Sequence, residues 1–127
     1  MKKITWEFID DFKKEIEASE FVLFNTGWGD FWGTDKYYQN YPVLDKDSAT
    51  YLTTFLIKGI GIDTPSPDHV NSETWDIHKI LFTEDIIIIE NLFFPEMEDV
   101  VTGEFYGFPL NIKEADGSPV RAVLKVE

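Results

Sequence analysis

His78-Lys-Ile-Leu-Phe-Thr-Glu-Asp-Ile-Ile-Ile-Ile-Glu90-Asn-Leu92 is the stretch around which the chain is organised. It sets two side chains able to ligate metal at either side of a strongly apolar run. Four consecutive β-branched isoleucines, preceded by the polar pair Glu84-Asp85, predict a short strand buried on both faces. Glu90 stands where that strand leaves the core. A carboxylate there needs a donor, a cation or water, because burying it unpaired costs roughly several kcal/mol.

Outward from this stretch the chain alternates helices and strands. Trp75 to Phe82 predicts a short helix with Trp75, Leu81 and either Ile77 or His78 facing inward. Before it, Ile60-Gly-Ile-Asp63 predicts a strand that opens into the turn-rich loop Thr64-Pro-Ser-Pro-Asp68-His69. A helix starting at Asp47 or Ser48, with Tyr51, Leu52, Phe55 and Leu56 buried and Gly59 as its cap, precedes that strand. Earlier still, Thr5 caps an amphipathic helix running to about Ser19 with Phe8, Ile9, Phe12 and Ile16 on one face. Phe21-Val-Leu-Phe24 is a short apolar strand. It runs into Gly27-Trp-Gly-Asp-Phe-Trp-Gly33, where three glycines in seven residues forbid a regular element.

After Glu90, Phe93-Phe-Pro-Glu-Met predicts a turn with a helical turn following Pro95. Gly103 to Ile112 and Val120 to Val126 then read as two strands joined through Ala115-Asp-Gly-Ser-Pro119. The fold class is α/β with mixed strand pairing, in a single domain over residues 1–127. In such sheets functional residues gather where strands end, and those ends carry Thr26, Asp63 and Glu90.

Composition narrows the function classes. With 24 acidic against 11 basic residues, the formal net charge is -13, which repels nucleic-acid backbones and anionic membranes. There is no cysteine, so disulfides, thiol nucleophiles and thiolate-ligated zinc are excluded. No run approaches the ~18 apolar residues of a membrane span, and no signal peptide is visible, so the expected location is cytoplasmic.

Three constellations carry chemistry, each with a plainer alternative. His78 and Glu90 can reach one edge of the sheet and share a divalent metal, or form a solvated hydrogen-bonded pair; two ligands fall short of the usual three. Asp63, Ser66 and Asp68 read as a carboxylate cluster for metal or general-base work, or as turn caps around Pro65 and Pro67. The aromatics Trp28, Phe31, Trp32, Tyr37, Tyr38 and Tyr41 either line a pocket or pack under a long loop. Trp28, Trp32 and Tyr38 would suit a flat or sugar ligand.

Taken together, Thr26-Gly-Trp28 with Trp32-Gly-Thr34, Gly61-Ile-Asp63 with Ser66 and Asp68, His78 with Leu81, Glu90-Asn-Leu92, Pro109-Leu110 and Asp116-Gly-Ser-Pro-Val-Arg121 resemble the cyclase family of metal-dependent hydrolases, which includes bacterial kynurenine formamidases. The resemblance runs from about Ile4 to Val126. It implies a swivelling β/β/α type of fold, a mixed barrel-like sheet with flanking helices. It further implies hydrolysis of a small amide, N-formyl or cyclic amide substrate at a divalent metal, zinc before manganese, with His78 and Glu90 as ligands. Trp28, Trp32, Asp63, Ser66 and Asp68 become the substrate-pocket candidates.

One departure stands out. The family's earlier motif H-x-G-T-H-x-D-x-P-x-H, with its remaining ligands and catalytic histidine, has no counterpart here, where His69 and His78 are the only histidines. The expectation is therefore a C-terminal portion of the family fold, completed by another copy in a homo-oligomer or by a separate chain. The alternative is a catalytically inactive remnant serving as an interaction or small-ligand module.

Overall fold

The computed structural model describes residues 2–97 and 102–126. The chain forms two compact units, residues 1–94 and 95–127. In the first, strand β1 (Lys3–Ile4) leads into helices α1 (Trp6–Asp10) and α2 (Lys13–Glu17), strand β2 (Phe21–Phe24), and two single 3-10 turns, Trp28–Phe31 and Asp35–Tyr38. Strand β3 (Val43–Leu44), helix α3 (Lys46–Leu52), strand β4 (Gly59–Ile62), helix α4 (Asp76–Thr83) and strand β5 (Ile87–Ile89) follow. The second unit is the antiparallel hairpin of β6 (Gly103–Pro109) and β7 (Val120–Val126), with Phe105 opposite Leu124 and Pro109 opposite Val120.

The sheet that positions the site is parallel, in the order β2-β4-β5. Its middle strand reads Gly-Ile-Gly-Ile. Ile60 and Ile62, both fully buried, enter the core with Ile9, Leu52, Leu81 and Ile86. Burial of each such side chain is worth about 1.5–3 kcal/mol. The glycines serve the opposite face. A Cβ on Gly59 would lie 2.4 Å from the Phe21 ring and 3.1 Å from the Ile87 carbonyl, and one on Gly61 would lie 2.5 Å from Leu92 and 2.8 Å from Leu23. Neighbouring side chains thus lie directly across the strand backbone.

The α/β class with mixed parallel and antiparallel pairing is as the sequence indicates. The described strands form three separate sheets, β1-β3, β2-β4-β5 and β6-β7, and no closed barrel. Several local expectations are corrected. The first helix is two, because the chain turns at Asp11 and Phe12, whose amide bonds back to the Ile9 carbonyl at 3.0 Å. Adjacent aspartates favour such a turn over helix interior. Ile9 and Ile16 still reach the core, while Phe8 is half exposed.

Helix α3 begins earlier than expected, with Asp45 as its cap in a reciprocal pair with Ser48. It ends at Leu52, so Leu56 lies outside the helix and is fully exposed, and Gly59 belongs to β4 rather than to a helix cap. Trp75 faces outward as the residue preceding α4. The isoleucine strand is an edge strand of three residues. Ile86 and Ile89 are buried, whereas Ile87 is exposed; among the described residues β4 is the one strand paired with β5. The helical turn expected after Pro95 falls in part on residues 98–101, outside the described residues. Among the described residues no helix is long and apolar enough to cross a membrane.

Candidate functional site

Parallel strands place their carboxyl ends side by side, so Asn25 and Thr26 after β2, Asp63 after β4 and Glu90 after β5 meet at one edge. Asp63, 1% exposed, anchors that edge. Its carboxylate accepts from the Thr26 amide at 3.0 Å, the Thr26 hydroxyl at 2.6 Å and the Gly27 amide at 3.0 Å. This fixes the start of the aromatic loop, where Gly27 takes the left-handed φ of +83°.

The loop then folds back over the strand ends. The Trp28 indole N–H donates to the Tyr37 carbonyl at 2.8 Å, and the buried Tyr37 hydroxyl lies 2.9 Å from Asn91 Oδ1 and 3.2 Å from the Asp63 carbonyl. Asn91 reverses the chain directly after Glu90 with φ 58°, its amide bonded to the Thr64 carbonyl and the next amide to Ile62. Burial, followed by the charge of Asp63, pushes the Tyr37 hydroxyl up to about 12. Tyr41 is raised in the same direction by burial and by the charge of Glu90, against a hydrogen bond with Ser66. Both phenols are therefore neutral beside the site.

His78 joins the two halves of the arrangement. Its Nε2 is 2.9 Å from Glu90 Oε1 and its Nδ1 2.6 Å from Asp68 Oδ2, with the ring edge-on to Trp75 and Phe82. The Glu90 hydrogen bond raises its basicity most; burial opposes this, and Asp68 adds to it. Asp68 also accepts from the Ile77 and His78 amides at the start of α4. Glu90 is about one-third exposed, so the cluster opens to solvent on that side.

The structure thus brings His78 and Glu90 together at the sheet edge. It separates the acids of the 63–68 loop, since Asp63 turns to β2 and Asp68 to α4. Both are in the core, as is Ser66, whose hydroxyl accepts from the Asp68 amide at 3.0 Å. Trp28 is half-buried within the loop, and Trp32 packs edge-on against Tyr37 with most of its surface in solvent. His69 is half-buried in the turn, where its Nδ1 accepts from the Asn71 amide. Sequence reasoning gave Asn91 no role of its own and named the two buried tyrosines only among the loop aromatics that line a pocket or pack. The one available signal was Asn91 directly after a strand-end glutamate, a residue type that tolerates left-handed backbone.

His78 and Glu90 offer one imidazole nitrogen and one carboxylate, a donor pair suited to zinc or manganese. Among the described residues no group of three or more histidine, aspartate or glutamate side chains is arranged to hold a metal ion. The donors fit such an ion chemically and would supply part of its coordination.

The model of the Cyclase family matches residues 2–69. A kynurenine formamidase of Bordetella avium is 37% identical over 96 residues, which are 74% of this chain and 43% of that protein. An uncharacterized protein of Methanocaldococcus jannaschii is 31% identical over 121 residues, 91% of this chain and 59% of that one. Among solved structures, a "predicted metal-dependent hydrolase" from Bacillus stearothermophilus superimposes with a TM-score of 0.76 at 30% identity, covering 97% of this chain and 57% of that one. An isatin hydrolase bound to thioisatinate, a product analogue, shares the fold with a TM-score of 0.79 at 21% identity, over 98% of this chain and 54% of that one. The chain therefore spans about half the length of the relatives it matches.

Proposed function

Because the chain belongs to the Cyclase family, we propose that it forms part of a metal-dependent hydrolase acting on a small amide, in which His78 Nε2 and Glu90 Oε1 hold a divalent cation. The observation that carries this reading is their convergence to 2.9 Å at the carboxyl edge of a parallel sheet. Zinc is the favoured ion and manganese the second. Such a cation supplies Lewis acidity and an acidified water for attack on a carbonyl.

The chain's own residues supply the setting. Glu90 binds, and Asn91 holds the backbone turn that aims it. Tyr37 and Tyr41 stay protonated, so they add no negative charge where an anionic tetrahedral centre would form. Trp28 and Trp32, followed by the buried Asp63-Ser66-Asp68 segment, form the wall and support of the substrate pocket. An aromatic N-formyl or cyclic amide suits such a wall, in keeping with relatives described as kynurenine formamidase and isatin hydrolase.

A working centre needs at least a third protein ligand. Its source in this proposal is a second polypeptide, another copy in a homo-oligomer or a separate chain, which would also extend the sheets toward a barrel-like β/β/α form. Metal content and calorimetry with zinc test the reading. The isolated chain is expected to bind weakly, with His78→Ala and Glu90→Ala abolishing the heat signal. Unaltered zinc binding in both variants overturns the ligand assignment, and tight stoichiometric metal overturns the need for outside ligands.

A second reading, a non-catalytic binding module, draws on the exposed rings of Trp32, Tyr38 and Phe93. Fluorescence quenching by aromatic amides that persists in Glu90→Ala and does not respond to zinc would favour it.

A further inference from the structure

Helix α4 begins without a cap of its own. Trp75, the residue before it, has the left-handed φ of 54° and no side-chain bond to the first turn. Asp68, from the proline loop, takes that place: Oδ1 accepts from the Ile77 amide at 2.9 Å and Oδ2 from the His78 amide at 3.0 Å. The same Oδ2 lies 2.6 Å from Nδ1 of the His78 ring. Asp68 is 3% exposed and its backbone amide is tied to Ser66, so the carboxylate is held from behind.

We infer that Asp68 is the positioning residue of the site, fixing the His78 ring with its proton on Nδ1 so that the Nε2 lone pair faces Glu90. A carboxylate offers acceptors only, so a contact of this length requires N–H on Nδ1. Nε2 of the neutral ring then carries a bare lone pair, directed at a second acceptor, Glu90 Oε1. Two such acceptors are held at 2.9 Å by a proton on Nε2 when the ring is an imidazolium, and by a bound cation when it is neutral. Trp75 and Phe82, with ring centroids 5.7 Å from that of the imidazole, pack edge-on against it. A ligating histidine fixed through its other nitrogen by a carboxylate is the usual means of setting tautomer and orientation. A helix cap alone would need only the two backbone amides.

This inference rests on the metal-site reading only for its effect on cation affinity. Its first test needs no metal. In long-range proton–nitrogen correlation spectra of the labelled, metal-free chain at a pH where both rings are neutral, His78 is expected as the Nδ1–H form. His69 is the internal reference, because its Nδ1 accepts from Asn71 and it must carry the proton on Nε2. An Nε2–H form at His78 overturns the assignment. The second test is Asp68→Asn, which keeps one acceptor for three donors. A folded variant is expected to lose the Nδ1–H preference and to bind zinc about tenfold or more weakly; unchanged tautomer and affinity overturn it. If the variant does not fold, the wild-type tautomer decides. Wild-type chain that shows Nδ1–H yet no zinc binding leaves Asp68 in its role and removes the metal reading instead.

Discussion

Tyr37 and Asn91, 54 positions apart, meet at 2.9 Å and fasten the aromatic loop to the turn that follows Glu90. The tyrosine is 1% exposed, so its hydroxyl has no access to replacement water. Tyr37→Phe leaves the Asn91 amide oxygen without this donor and is expected to cost about 1–3 kcal/mol. Urea denaturation at neutral pH measures it.

The same residue gives a pH dependence. Its folded value of about 12 lies above the ordinary 10, because burial and the Asp63 charge disfavour the phenolate. The unfolded chain therefore loses this proton first. The stabilisation is fully present below pH 10 and is lost as pH rises toward 12, by no more than about 2–3 kcal/mol. Stability of the wild type is expected to fall more steeply between pH 9.5 and 11.5, roughly, than that of Tyr37→Phe. Parallel curves would contradict this account.

Asp63 carries three donors from Thr26 and Gly27 on one buried carboxylate. Asparagine has one acceptor oxygen and turns an N–H toward these donors. Asp63→Asn is expected to cost about 2–3 kcal/mol, as for loss of hydrogen bonds to a charged group. Hydrogen exchange at the Thr26 and Gly27 amides should accelerate beyond the global change, which a purely global loss would not produce.

The two glycines of β4 should differ. At Gly59 an added methyl meets the Phe21 ring and a strand carbonyl, whereas at Gly61 it meets the ends of two leucine side chains. Leucine tips can rotate away and backbone cannot. Gly59→Ala is expected to lower stability by about 1–3 kcal/mol and Gly61→Ala by less. Thermal melts of the pair settle the order.

Under the proposed metal reading, zinc stabilises the folded chain by mass action. At a free concentration about 100 times its dissociation constant the gain is about 2.7 kcal/mol. The accompanying rise in melting temperature should be reversed by a chelator and absent from His78→Ala and Glu90→Ala. A rise of equal size in either variant would point to binding elsewhere on this acidic surface.

Local sequence carried much of the architecture. Alternating helix and strand patterns, the Asp116-Gly-Ser-Pro119 turn and the apolar runs at 21–24, 60–62 and 86–89 were enough for an α/β chain ending in a hairpin, with Thr26, Asp63 and Glu90 at strand ends. The approach of His78 to Glu90 was legible for the same reason, since one helix, one turn and one strand separate them. These signals are short-range: β-branching, periodicity and turn chemistry act within a few residues.

Tertiary packing decided the rest. Whether Asp68 caps its own proline turn or reaches α4 depends on which donors lie bare nearby, and those belong to residues 9 and 10 positions away. Tyr37 is buried because Asp63 and Asn91, 26 and 54 positions on, surround its hydroxyl. Gly59 is glycine because Phe21 lies across it. In each case the deciding partner is remote in sequence. Hydrogen bonding and close packing are satisfied by whatever the fold brings within a few ångströms, so the residue types of this site were evident from the chain alone and their pairing from the folded structure.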